Sequence, residues 1–316
     1  MGWRQRYSEI LASMEYRLPR KVDTLQFWVM NGALRRENQD FFIQSDGSSE
    51  RIQIASGEVL DAQLKPGRLR LIDTPWSSDR IAETTYIAVL HEKKSLQPVV
   101  SESRDPGALD SLDDLLGQKT LSVSIGMEWD WPLIRGRGFM TTGQHHRAWW
   151  FTANEAWGSD RDFTQLYLSS RWNRLLSDRF KLLLRGEIGY SDARVRTFDL
   201  GAGGSSIPVS VSELPYRYSF KTGGSQSVRG YRYDRLSNNG IGSNHLLVGS
   251  AELEFRLSKD WSAATFYDIG NAFNDWGAPE LKRGWGFGIR WYSIVGSVRA
   301  DFGRAEDIEG HPWEFY

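Results

Sequence analysis

The segment from Leu247 to Phe302 alternates between apolar and polar side chains with a period of two residues. Between Leu247 and Leu257 the odd-numbered residues are apolar or small, whereas the even-numbered ones include two glutamates and an arginine. The same separation recurs over Trp261–Ile269, Trp285–Trp291 and Val298–Phe302. Because successive side chains of a β-strand point to opposite faces, this period predicts strands with one apolar and one polar face. The pattern therefore favours an all-β fold.

Further strands are predicted in the rest of the chain. Segments with the same alternation are Glu9–Leu18, Leu121–Trp131, Gln165–Trp172 and Arg179–Ile188, and a second N-terminal strand is expected at about 24–35. Spacing and β-branched content add weaker strands near 50–58, 67–74 and 81–92. The total is about thirteen complete strands and a started one at Trp313–Tyr316.

Composition decides which all-β class is compatible with the chain. The mean hydropathy of −0.48 excludes a helical membrane protein, whereas a transmembrane β-barrel remains compatible because its strands alternate between lipid and lumen. Aromatic residues make up 13% of the chain, as expected for aromatic girdles. A net charge of −1 argues against a nucleic-acid binder, and the absence of cysteine removes disulfides and thiolate chemistry.

The connections alternate between short turns and long loops. Tight turns are predicted at 19–22, 175–178 and 258–260, and long loops at 93–117 and 191–245. This alternation is typical of an outer-membrane barrel. A soluble sandwich also alternates, but here many tryptophans end the apolar faces, and charged residues share the other face with glycines. Both features favour a membrane barrel with a polar lumen.

The 191–245 loop contains a glycine-rich motif, Phe220–Tyr231, which ends in Val228, Arg229, Gly230 and Tyr231. Arg229 carries five fixed donors and is therefore a candidate for anchoring the loop to a carboxylate or an aromatic ring of the wall.

The other motif glycines and the wall complete the predicted anchor. Gly223, Gly224 and Gly230 allow positive φ and a close approach to the wall. By the period of two, Asp268 and Phe266 share the lumenal face. The sequence thus predicts an ion pair between Arg229 and Asp268, with Phe266 nearby. The glycine-rich stretches 201–206 and 223–227 lack a phosphate-loop ending and are interpreted as flexible loop backbone.

The motif resembles the Val-Arg-Gly-Tyr signature in the sixth extracellular loop of the outer-membrane protein assembly, or bacterial surface antigen, superfamily. Within it, the chain is most similar to the translocation and assembly module subunits, the TamA branch. Supporting stretches lie at 154–160, 178–190, 247–254, 266–273 and 286–291, and the resemblance covers about 119–304. It implies a transmembrane antiparallel barrel of sixteen strands, with the motif loop between the eleventh and twelfth. It also implies that Asp268, Phe266 and Gly286 lie on the inner wall opposite the motif.

The resemblance implies a role as well. Residues 1–316 would form a partial barrel domain without POTRA domains, in which Glu9–Leu18 is the third strand and Trp313 begins the sixteenth. The expected function is non-enzymatic insertion or translocation of other proteins in the outer membrane of a Gram-negative bacterium. Expected partners are nascent outer-membrane or autotransporter β-strands, outer-membrane lipids and a TamB-like inner-membrane-anchored protein, without cofactor or metal. A role in lipid transport between membranes is also compatible.

Two alternatives remain open at this stage. The barrel could be an export or anchoring device for a fused domain, of the patatin-like lipase or two-partner secretion type. Alternatively, the chain could be a soluble aromatic-rich carbohydrate-binding sandwich. Metal binding is not expected, because the adjacent His145 and His146 would face opposite sides of a strand. The acidic stretch containing Asp105, Asp110, Asp113 and Asp114 is expected to be solvated.

Overall fold

The described part of the chain is composed of β-strands, with two short 3-10 turns at Gly138–Met140 and Glu155–Trp157. The computed structural model describes residues 9–21, 23–44, 51–74, 79–98, 117–202, 205–233, 236–237, 242–294, 296–308, 310 and 313–316. The strands are β1 (Glu9–Lys21), β2 (Gln26–Gln44), β3 (Arg51–Asp73), β4 (Arg80–Pro98), β5 (Lys119–Arg135), β6 (Thr142–Ala153), β7 (Phe163–Leu175), β8 (Phe180–Asp192), β9 (Val195–Ala202), β10 (Ser205–Ser212), β11 (His245–Arg256), β12 (Trp261–Phe273), β13 (Lys282–Tyr292), β14 (Ser297–Ala305) and β15 (Trp313–Phe315). Within these ranges, no helix has the length and apolarity needed to cross a bilayer.

Thirteen of the strands form one antiparallel sheet in chain order, with β11 following β8 directly. The hairpin of β9 and β10 forms a second, two-stranded sheet. Since every connection links neighbouring strands, short turns collect at one end of the sheet and long loops at the other. The predicted all-β antiparallel architecture is confirmed.

The two faces of the sheet differ in the way that the period of two predicts. On β12 and β13, the face that includes Asp268 and Arg290 is buried, whereas the face that includes Tyr267, Phe287 and Ile289 is exposed. A soluble sandwich would bury its apolar face instead. The carbohydrate-binding sandwich is therefore the wrong alternative, because here charged side chains are inside and apolar side chains are outside.

The strand count differs from the sequence prediction. The segments near 50–58 and 67–74 belong to the single strand β3, so twelve long strands and the short β15 form the sheet. Pro66 lies inside β3 and is accommodated by a gap in the pairing with β4 between Leu64 and Gly67. Counted back from the motif loop on the sixteen-strand scheme, β1 takes the fourth place and not the third.

The two faces of β1 do not differ in burial, although its sequence predicts one apolar and one polar face. It pairs with β2 over its full length, yet all thirteen of its residues are exposed. Among the residues that the structure describes, nothing packs over its inward face, so its alternation between apolar and polar residues separates no core from solvent.

The 193–244 loop fills the concave side of the sheet. Its residue Tyr216 contacts Glu37 on β2, and Arg229 contacts Asp301 on β14. One loop can reach strands at both ends of the sheet only if the sheet curves around it. The stretch 201–206 was interpreted as flexible, but its described residues belong to the β9–β10 hairpin, in which Gly201 pairs with Ser206.

Candidate functional site

The backbone of the Val228–Tyr231 motif lies directly on β13 and β14. Gly230 has a φ of 95°, and a Cβ atom added to it would come within 2.6 Å of the Ala305 nitrogen. On the wall, a Cβ atom added to Gly284 would lie 1.9 Å from the Arg229 carbonyl oxygen. Glycine is required on both sides of this contact, because only it permits such a close approach.

A tight turn precedes the motif. Gly223 and Gly224 have φ of 106° and 92°, as predicted from their type. Gly224 donates its N–H to the Tyr231 carbonyl at 2.8 Å, and Ser227 donates to the Gly224 carbonyl at 3.1 Å. The description of 223–227 as flexible backbone is therefore wrong, since these hydrogen bonds close the turn and both glycines are buried.

Arg229 makes the contact with Asp268 that the period of two predicts. Its Nε donates to Asp268 Oδ2 at 2.8 Å and its Nη2 donates to Oδ1 at 3.1 Å, which is a bidentate pair. The Arg229 backbone N–H also donates to Oδ2, at 3.1 Å. The guanidinium carbon lies 3.4 Å from the centre of the Phe266 ring. Arg229 is 4% exposed and Asp268 is fully buried, so the pair is shielded from water.

Three further charged residues surround this pair and were not identified as its partners from sequence. Arg229 Nη1 donates to Glu252 Oε2 at 2.6 Å and to Asp301 Oδ2 at 3.3 Å. Arg290 donates to the same two carboxylates, at 2.8 Å and 2.5 Å. The alternation had placed all three on the lumenal face, but it does not indicate which of them meet. Two arginines and three carboxylates thus form one buried network, which we call the Arg229 network.

The Arg229 network keeps its central guanidinium charged. Burial alone would lower the pKa of Arg229, but the hydrogen bonds and charge of Asp268, together with Glu252, raise it above its ordinary value. The anchor therefore does not release the loop by deprotonation.

The remaining motif and wall residues support this anchor. The missing side chain of Gly286 leaves room for Phe266, whose ring tip lies 2.6 Å from where a Cβ would stand. Val228 is buried in an apolar cluster with Phe220, Leu246 and Ala305.

Two tyrosine hydroxyls fix the end of the motif. Tyr231 donates to the Arg283 carbonyl at 3.1 Å. Tyr316, which sequence reasoning had not linked to the motif, accepts from the Gly230 N–H at 3.0 Å and donates to the Tyr231 carbonyl at 2.7 Å. β13 and the end of β15 thus both hold the motif.

A second anchor holds the same loop on the opposite part of the wall. The buried Glu92 carboxylate accepts the backbone N–H groups of Tyr216 and Arg217, at 2.8 Å and 3.1 Å. The Arg217 guanidinium pairs with Asp61 at 2.6 Å, and the Tyr216 hydroxyl donates to Glu37 at 3.2 Å. No local pattern predicts these contacts, because they join segments more than a hundred residues apart.

A third contact lies at the long-loop end. Glu213, just after β10, pairs with Arg161 at 2.5 Å and accepts a hydrogen bond from Arg196. Burial would raise the pKa of Glu213, but the two arginines lower it below its ordinary value. The stabilising effect is therefore fully present above the ordinary value and is lost as the pH falls through the lowered one.

We expect the Glu213→Gln variant to loosen the β9–β10 hairpin at neutral pH, by about 1 kcal/mol for weakened charge-assisted hydrogen bonds. Hydrogen exchange of residues 195–213 should be several-fold faster than in the wild type at pH 7, and the difference should vanish once the pH lies below the lowered pKa of Glu213. Equal exchange at pH 7 would show that the carboxylate does not hold the hairpin.

The part of the chain that the structure describes contains no group of three or more His, Asp or Glu side chains arranged to hold a metal ion. His145 contacts Asp130 at 2.5 Å and His146 contacts Ser170 at 2.9 Å, on opposite faces of β6 as predicted. The acidic residues Asp105, Asp110, Asp113 and Asp114 lie outside the described residues.

Known proteins share this sheet architecture and this sequence pattern. A model of the Omp85 superfamily domain matches residues 78–314, which is 237 of 316 residues. The chain belongs to the Omp85 superfamily. It is therefore an outer-membrane protein of the Gram-negative type, in a superfamily of protein insertion and secretion barrels.

Solved structures agree with the Omp85 fold. BamA from Haemophilus ducreyi lacking POTRA domains 1-3 is similar at a TM-score of 0.63 and 14% identity, over 98% of this chain and 61% of that one. CdiB from Acinetobacter baumannii gives 0.54 and 14%, over 97% and 48%, and CdiB from Escherichia coli gives 0.52 and 12%, over 94% and 49%. The chain thus spans about half to three fifths of their lengths.

Proposed function

We propose that this chain forms the membrane wall of a non-enzymatic factor that inserts or translocates other outer-membrane proteins. Within the superfamily, we assign it to the TamA branch, with a TamB-like inner-membrane-anchored partner and autotransporter β-strands as clients. The observation that carries the proposal is the docking of the Val228–Tyr231 motif by the Arg229 network.

The docked loop suits a wall that handles other polypeptides. A wide polar lumen without a docked element would be an open water channel. Here the loop occupies the lumen and is held by buried ion pairs with carboxylates of the wall. A client segment can add to exposed backbone of such a wall by strand pairing, which requires no catalytic group.

The test uses the complete gene in the bacterium that encodes it. Arg229→Ala should reduce the surface-exposed passenger of resident autotransporters several-fold, as measured by protease shaving of intact cells. Arg232→Ala is the matched control, since Arg232 lies in the same loop but is exposed, and among the described residues it forms an ion pair only with Glu314, at 3.3 Å. Membrane levels of both variants are measured by immunoblot.

Other outcomes select other functions. Loss of one cognate exported protein, with autotransporters unaffected, would replace the proposal with a dedicated secretion or anchoring barrel. An altered phospholipid balance, with both protein classes unaffected, would replace it with lipid transport.

A further inference from the structure

The outward face of the sheet carries a groove across β1 to β6. Its volume is about 810 Å³, within the range of small-molecule sites. Its apolar lining comes from side chains that face away from the lumen, among them Leu18, Trp28, Met30, Ile87, Ile125 and Trp150. These side chains lie on the surface that faces lipid.

The groove exists because small side chains lie between large ones. Pro66 and Thr85 stand on the central strands, whereas Trp28 and Met30 on β2 and Ile87 on β4 are large and about half exposed. The gap in strand pairing at Pro66 lies at the same place. The result is an open channel with an apolar lining.

A cation stands at one end of this channel. Arg68 lines the groove, and its Nη2 donates to Gln26 Oε1 at 2.7 Å. Its Nε is buried and has no hydrogen-bond partner among the described residues. The next outward arginine, Arg70, is by contrast neutralised by Glu83. Arg68 forms no ion pair with a described carboxylate, so its positive charge remains available at the groove.

Arg68 lies at one border of the apolar band, which is the belt of uncharged outward side chains that faces the membrane. On β2 the outward residues from Trp28 to Leu34 carry no charge, and beyond them Arg36 pairs with Glu58 at 2.5 Å. Arg68 is opposite Trp28 in the β2–β3 register, at the other border of the band. That border is on the side of the short turns, which in outer-membrane barrels face the periplasm. A charge at this level meets lipid headgroups.

We propose that the groove binds one glycerophospholipid of the periplasmic leaflet, with an acyl chain between Trp28 and Ile87 and the phosphate on Arg68. Phosphate oxygens are acceptors for a guanidinium with unused donors. Within the bilayer, the apolar lining of the groove contributes close van der Waals packing against the acyl chain. The proposal depends on the outer-membrane location and not on the client proteins.

The test measures lipid retention by the full chain. The protein is folded into vesicles of phosphatidylethanolamine and phosphatidylglycerol, extracted in a mild detergent and weighed by native mass spectrometry. The wild type should retain one phospholipid. Arg68→Gln should lower the retained fraction at least fivefold, by removing the charge, and Thr85→Phe should do the same by filling the groove with an apolar side chain suited to a lipid-facing strand.

The matched control is Arg36→Gln, which removes an outward arginine at the opposite border and should retain lipid as the wild type does. Heat-modifiable gel migration confirms that each variant is folded. Equal retention by wild type and Thr85→Phe, or by wild type and Arg68→Gln, would overturn the proposal. Loss with Arg68→Gln alone would indicate an anion site without an acyl chain, which also overturns it.

Discussion

Replacing Arg229 with alanine is expected to release the Val228–Tyr231 part of the 193–244 loop from the wall. The change leaves three buried carboxylates, Asp268, Glu252 and Asp301, and Arg290 forms ion pairs with the last two. Breaking a buried ion pair from one side typically costs about 3–5 kcal/mol. The loop of the detergent-solubilised variant should therefore be cut by a protease of broad specificity at least a hundredfold faster than that of the wild type.

Two further variants sharpen this experiment. Arg229→Lys keeps the charge but cannot form the bidentate pair with Asp268, so its cleavage rate should be intermediate. Arg232→Ala removes an exposed arginine from the same loop and should leave cleavage close to the wild-type rate. The network does not hold the loop if Arg229→Ala is as protected as Arg232→Ala.

A double variant that exchanges Arg229 and Asp268 is a poor test of the ion pair between them. The predicted pair alone implies that Arg229→Asp combined with Asp268→Arg restores docking. In the structure, an aspartate at position 229 would face Glu252 and Asp301 as well. We therefore expect the double variant to remain undocked, although the contact between Arg229 and Asp268 is present.

A methyl group at Gly284 should have the second largest effect. In Gly284→Ala, the new Cβ would lie 1.9 Å from the Arg229 carbonyl oxygen, a distance that real contacts do not reach. The backbone of β13 fixes the position of the Cβ, and the oxygen belongs to the backbone of Arg229. The motif must therefore move away from β13, and the contacts of the Arg229 network must lengthen. Overpacking of this kind costs about 1–3 kcal/mol. Faster cleavage of the loop is expected, with no loss of the folded, heat-modifiable barrel.

The matched control is Gly186→Ala on β8. A Cβ added there meets no atom within 4 Å, so the same chemical change is made in a strand without a close neighbour. If both variants protect the loop equally well, the contact at β13 does not limit docking.

The sequence predicts which side chains face the lumen wherever apolar and polar residues alternate strictly. On β11 to β14, charged and apolar residues separate cleanly, and this separation placed Asp268, Phe266 and Arg290 on the lumenal face. The same pattern carries no information about distance along the lumen. Which of the inward carboxylates meets Arg229 depends on the path of the loop, and so Glu252 and Asp301 were missed as its partners.

The weak predictions have identifiable physical causes. Proline normally lies at the start of a strand or on an edge strand. β3 nevertheless continues through Pro66, because only the pairing of β3 with β4 is interrupted there. The second anchor, Glu92 with Tyr216 and Arg217, joins residues whose local sequences show no relation. Such contacts become visible only when the curvature of the whole sheet is known.

The two anchors of the 193–244 loop have a mechanical consequence. One anchor holds β3 and β4 through Asp61 and Glu92, and the other holds β12 through Asp268. Any widening of the wall must stretch the chain between them, and release of either ion cluster lets the wall relax outward. The loop therefore holds the two parts of the wall together, and a change in the diameter of the wall requires a change in the position of the loop.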